Sequence, residues 1–146
     1  KIIYPNICKQ PEFTVDTNKF YSNQKCFIIS VYDLFLLGIL NSRLMMFFFK
    51  TNIPKLRGDF YEPGFVFMKN FPVHTINYSN PAEVKQHDRM VALVERMLDL
   101  HNRAPQTPQE QERLAREISA TDKEIDRLVY DLYGLTEDEI QIVEGR

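Results

Sequence analysis

Asp126-Arg-Leu-Val-Tyr-Asp-Leu-Tyr-Gly-Leu-Thr-Glu-Asp-Glu-Ile-Gln-Ile-Val-Glu-Gly145 closes a long amphipathic helix, breaks it and starts a second, short one. Gly134 suits the position just past a helix end, where a left-handed backbone costs a residue without Cβ very little. Thr136, with Glu139 three residues on, reads as a capping box for the new helix. Upstream, Leu114, Ile118, Thr121, Ile125, Leu128 and Leu132 recur at spacings of four and three. Val84, His87, Val91, Val94, Leu98 and His101 do the same, and the Pro-marked break Ala104–Pro108 separates the two stripes. Two such stripes joined by a short connection predict an antiparallel helical hairpin. Its second arm, of about 24 residues, spans roughly 36 Å. Each stripe is narrow, so the hairpin is expected to need a further surface to pack on.

Before Pro81, a residue suited to a first helical turn, the pattern is different. Ile2-Ile3-Tyr4 and Phe27-Ile28-Ile29 are β-favouring, with turns at Pro5-Asn6, Asp16-Thr17-Asn18 and Ser22-Asn23. Asp33 is placed to cap a central helix from about Leu34 to Lys50, apolar on nearly every side, with Asn41-Ser42-Arg43 as a polar interruption. Thr51 to Val73 reads as irregular, with one short strand at Phe60-Tyr61 and a helical turn near Val66 to Asn70. The fold class expected is α+β: a small mixed unit, residues 1–81, then the hairpin and short terminal helix, residues 82–146.

Charge divides at the same place. Residues 1–81 hold nine Lys or Arg against five Asp or Glu, a net of +4, and all eleven Phe. Residues 82–146 hold nine against fifteen, a net of −6. A basic, aromatic unit beside an acidic helical one suggests different partners, a polyanion being the candidate for the first. Its cations Lys9, Lys19, Lys25, Lys55 and Arg57 fall in turns and loops, with Tyr21, Asn23, Asn52 and Tyr61 among them. These side-chain types make phosphate contacts and read base edges.

Chemistry of other kinds finds little footing. His87 and His101 are fourteen residues apart on one helix, about 21 Å, too far to share an ion. Glu83-Val-Lys85 matches half of a metal-dependent nuclease motif, but it falls on a first helical turn rather than a strand. No G-x-S-x-G elbow or G-x-G fingerprint occurs. Cys8 and Cys26 make no disulfide framework and are expected as reduced, buried thiols of a cytosolic protein. Val31 to Phe49, the longest apolar run, is interrupted by Asp33 and Arg43, so no membrane span is expected.

Three segments resemble one family. Tyr32-Asp-Leu-Phe-Leu-Leu-Gly-Ile-Leu-Asn-Ser-Arg-Leu44 is similar to a Leu-Asn-Ser helix of the TaqI-like C-terminal specificity domain. Pro54-Lys-Leu-Arg-Gly-Asp-Phe-Tyr61, followed by Phe71-Pro-Val73, resembles that domain's Gly-Gly-aromatic and Leu-Pro-Ile continuation. Ile125 to Ile140 is similar to the helical region that ends many such enzymes. The resemblance implies a prokaryotic, cytoplasmic restriction-modification enzyme, of which residues 1–81 would be a partial target-recognition domain and residues 82–146 a spacer. Double-stranded DNA would be the partner, contacted by Arg57 and Lys55 first, then Lys19, Asn23, Lys25, Lys9 and Tyr61. Upstream methyltransferase and nuclease domains would hold S-adenosylmethionine and Mg2+. No cofactor is expected in this fragment, since Asn80-Pro81 continues with Ala82 and not with the family's catalytic motif. The chain opens at Lys1 in a strand-like run and is expected to be the C-terminal piece of a larger protein. The alternative is a helical protein–protein interaction module without DNA contact.

Overall fold

A computed structural model describes residues 1–146. The two strands expected, β1 (Ile2–Pro5) and β3 (Cys26–Ile29), join a third that the sequence did not mark, β2 (Thr14–Val15), in one antiparallel sheet of order β2-β1-β3. β1 pairs with β3 along its whole length, from Ile2 opposite Ile29 to Pro5 opposite Cys26. Its alternation puts Ile2 and Tyr4 inward, where Tyr4 meets Phe13 at 4.6 Å and Phe27 at 5.3 Å between ring centroids. The strand expected at Phe60-Tyr61 is reduced to two single bridges, Cys8 with Tyr61 and Leu56 with Phe60.

The single helix expected over Leu34–Lys50 is instead two, α1 (Leu34–Leu40) and α2 (Arg43–Asn52), bent by 55°. The polar interruption is a corner with its own bonding. Asn41 mimics a strand neighbour for Phe13, accepting from its N–H at 2.9 Å and donating to its carbonyl at 2.8 Å. Ser42 caps α2 by accepting from the Met45 amide, and its hydroxyl donates back to the Ile39 carbonyl at 2.7 Å. No single helix is long and apolar enough to cross a membrane. The bent pair reaches that length, with Leu37, Ile39, Met45 and Phe49 buried against the rest of the chain.

After the short α3 (Phe65–Met68) come α4 (Pro81–Asn102), α5 (Pro108–Leu132) and α6 (Glu137–Glu144). α4 and α5 pack along each other as the hairpin. Asn80 caps α4 ahead of Pro81, and α5 starts on a capping box of Thr107 and Glu110. Gly134 has φ +63°, and the Leu135 amide reaches the Tyr130 carbonyl at 3.0 Å, the helix stop expected there. The Thr136–Glu139 capping box forms. On α5 the stripe residues Thr121, Ile125 and Leu132 are buried as expected. On α4 the buried line is Met90, Leu93, Val94 and Leu100, offset from the stripe read in the sequence.

The offset has a cause: α4 carries two contacts. One side faces α5 and another receives α1, with Gly38 placed where a Cβ would collide with Met90 Sδ. The further surface that the hairpin needed is thus α1, with α2 lying on α5 and α6. A core of 21 buried residues runs without interruption from Ile2 to Leu132.

Asp126 joins the two halves chemically. Its side chain, 6% exposed, accepts from the backbone N–H of Arg43 at 2.8 Å and lies 3.3 Å from the Arg43 guanidinium. Burial pushes the carboxyl up to about 6; Asp122 and Glu144 act in the same direction, and the Arg43 amide and guanidinium oppose it. A raised carboxyl pKa means that the folded state takes up a proton before the unfolded one. Stability therefore rises as pH falls through 6 toward the unfolded value of 3.8. Two pKa units correspond to about 3 kcal/mol at most. The thermal midpoint should rise on going from pH 7 to pH 5, and the rise should shrink in Asp126→Asn. Parallel pH profiles for the two proteins would exclude Asp126 as its source.

Candidate nucleic-acid interface

The small sheet distributes the loop cations. Beyond Pro5 the chain bends through Asn6–Lys9, with a neighbour on each side. The Asn6 amide donates to the Lys25 carbonyl at 2.9 Å. On the other side Cys8 exchanges two hydrogen bonds with Tyr61, of 3.0 and 2.8 Å. The Lys9 ammonium lies 5.0 Å from the centroid of the Phe60 ring, a cation–π contact. Lys9, Lys25 and the turn that carries Lys55 and Arg57 therefore gather around one end of β1, all four side chains exposed.

Lys19 is elsewhere. The connection from β2 to β3 leaves near the Lys1 end of β1, where the Lys1 ammonium pairs with Asp16 at 2.9 Å and donates to the Phe20 carbonyl. It then crosses to the Pro5 end, so Lys19 and Lys25 stand at opposite ends. Asn23 closes the turn before β3 by accepting from the Lys25 amide at 2.9 Å, which occupies one of its side-chain acceptor sites. Its amide NH2 stays available.

The Arg57 turn is tight. The Leu56 amide donates to the Phe60 carbonyl at 2.7 Å, and Gly58 and Asp59 have φ of +83° and +62°. Arg57 sits at its tip and makes no ion pair, whereas Lys55 is paired with Asp59 at 3.1 Å and its pKa is raised by that partner. Tyr61 does not share this surface. It is 3% exposed, with its ring against Phe49 at 5.9 Å, because the backbone pairing with Cys8 turns the side chain into the core. Its place is to anchor the turn rather than to meet a ligand.

Two features escaped the sequence reading. Phe20, beside the Tyr21 singled out above in the β2–β3 connection, is 67% exposed, although its aromatic character alone reads as core. A groove of about 750 Å3 lies between Lys9–Thr14, the α1–α2 corner and the hairpin, with Arg43 and His101 on its lining. Three segments distant in sequence make it, so no local pattern marks it.

Reactive groups stay dispersed. No three His, Cys, Asp or Glu side chains converge into a cation site. His74 faces Glu83 at 3.8 Å, while His87 contacts Asp88 at 3.0 Å and stacks near Phe35. The Cys8 thiol is buried and pushed up to about 11 by burial and by Glu12, the reverse of an activated nucleophile. Asn80 uses its side chain on the Ala82 amide and on Glu83, as a helix cap. Asn80, Pro81 and Ala82 thus start a helix and do not fit the family's catalytic motif, Asn-Pro-Pro followed by Tyr or Phe.

Residues 1–73 match the family described as the TaqI-like C-terminal specificity domain. No curated protein matches the chain. Within the matched span, Asp59 stands where the resemblance has a second glycine, and its left-handed backbone gives the physical reason for a glycine there. A side chain with Cβ is strained at that φ by about 1 kcal/mol, Asp and Asn being tolerated best. The Lys55 pair, exposed and screened by solvent, offsets little of that strain. Asp59→Gly is therefore expected to melt at or above the wild-type temperature and Asp59→Val below it, by circular dichroism. The opposite order would show that the turn relaxes.

Proposed function

The chain belongs to the TaqI-like C-terminal specificity domain family, and on that premise we propose that it is the non-catalytic DNA-sequence-recognition part of a restriction-modification enzyme. The observation that carries this reading is the match over residues 1–73, a span that includes every loop cation gathered around the Pro5 end of β1. In the fuller form of the proposal, upstream domains of the same polypeptide methylate adenine N6, cleave the DNA, or do both. This part holds the target duplex in register for them, in the prokaryotic cytoplasm.

Roles divide by geometry. Arg57, unpaired at the tip of a tight turn, is the residue best placed to enter a groove and meet a base edge, where a guanidinium makes bidentate bonds to guanine. Lys9 and Lys25 flank it and supply phosphate contacts, which position the duplex without reading it. Lys55 is partly neutralised by Asp59. Lys19 and Asn23 extend the contact along the β2–β3 connection. The acidic hairpin is a spacer that orients the recognition unit relative to the upstream domains.

Exposed Phe65 and Val66 on α3 favour a second reading, a protein-docking module without DNA contact. Salt separates the two. A phosphate-contacting surface loses affinity log-linearly with salt concentration, whereas an apolar docking surface does not. In a gel shift on mixed-sequence and methylation-site duplexes, Arg57→Ala should cost about 1–3 kcal/mol and relax selection at one base position. Lys25→Ala should instead lower the salt slope by about one. Unchanged affinity and selection in Arg57→Ala would remove that residue from the site.

A further inference from the structure

Residues 17–32, Thr-Asn-Lys-Phe-Tyr-Ser-Asn-Gln-Lys-Cys-Phe-Ile-Ile-Ser-Val-Tyr, contain two lysines and no carboxylate. Within them Phe20 and Tyr21 turn their rings almost wholly to solvent, at 67% and 104% exposure. Tyr32, at the exit from β3, is 57% exposed. An aromatic side chain buries some 150–250 Å² when it finds a partner, so adjacent bare rings on a folded surface call for an occupant.

The rings are not on a loose strand. Lys1 bonds the Phe20 carbonyl and pairs with Asp16, whose carboxylate also accepts from the Asn18 amide at 2.9 Å. The Asp16 amide in turn donates to the Lys1 carbonyl at 2.8 Å. Lys19 adopts φ +58°, a left-handed turn that sets the direction of the two residues after it. The aromatic pair is thus presented by a tied turn, with Lys19 beside it and Lys25 further along the same connection.

We infer that Phe20 and Tyr21 form an aromatic wedge that stacks on nucleobases of the bound DNA, with Lys19 and Lys25 on the flanking phosphates. The inference rests on the DNA-recognition reading and adds to it a contact of another chemical kind. A cationic segment free of carboxylates matches a polyanion, and exposed rings beside it match a base step of the duplex, which they enter as a wedge by partly unstacking the two base pairs. A second copy of the chain would bring lysine against lysine, which disfavours self-association through this patch.

The chain has no Trp, so Tyr21→Trp provides a single fluorophore at the wedge. Titrated with a mixed-sequence duplex at low salt, its emission should be quenched by stacking. Ile142→Trp, on the acidic α6, should stay unquenched. The double variant Phe20→Ala with Tyr21→Ala should bind the duplex about tenfold more weakly, since the wedge that holds the opened base step is lost. Its salt slope should not change, because the slope counts phosphates. Thermal melting checks that these surface substitutions leave the fold intact. If wild type binds but the Tyr21→Trp variant keeps its emission and the alanine variant binds equally well, the wedge is overturned and DNA recognition stands. If wild type binds no duplex at any salt concentration, both fall. A concentration-dependent blue shift of the Tyr21→Trp emission without DNA would assign the patch to a second copy and overturn the wedge.

Discussion

The Asp126 carboxylate, on the long arm of the hairpin, accepts the amide proton of Arg43 at the start of α2. Eighty-three residues separate the partners, and the rest of the architecture depends on their meeting. That bond fixes where the second helix of the corner begins relative to the hairpin. The corner in turn fixes the β1–β2 connection, through the two bonds between Asn41 and Phe13. From there the bent segment through Lys9 and the turn around Arg57 follow. A charge in such a place is expensive, as the upward shift of the Asp126 pKa records. A buried carboxylate that satisfies a free helix amide and a guanidinium gives register rather than much net stability.

Legibility in the sequence followed the range of the forces involved. Caps and stops depend on neighbours within about four residues, and they are where expected: Asp33, Pro81, Gly134, and Thr136 with Glu139. Phe27-Ile28-Ile29 needed only its own composition. Ser42 carried the local signature of a helix start as well, but the apolar residues on both sides of it outweighed that signal. Nor does local sequence show that Asn41 at this corner bonds Phe13, a contact across 28 residues. The α4 stripe was displaced for a similar reason. Periodicity tells that a helix has an apolar side, but not that a glycine elsewhere will let a second helix approach, as Gly38 does for Met90.

The candidate site shows the same limit. Residue type and loop placement picked out Lys9, Lys25, Lys55 and Arg57, and the sheet gathers them at one end. Residue type also picked out Tyr61, which the pairing of its backbone with Cys8 draws into the core. It passed over Phe20, since composition does not say which rings a folded chain will leave bare. The match that defines the family ends at residue 73, yet the core it belongs to continues to Leu132. The hairpin completes the packing of the recognition unit as well as extending from it.

The charge division acquires a further meaning once α5 is seen as one unbroken helix of 25 residues, roughly 37 Å long. Positive charge sits on the compact sheet end, and the surplus of carboxylates is spread along the arm and its terminal helix. The molecule is consequently asymmetric in charge, +4 over residues 1–81 and −6 over residues 82–146. In the field of a polyanion it experiences a torque that swings the sheet end inward and the arm away before any contact is made. Toward a polyanion, orientation would then be biased during approach, ahead of any contact.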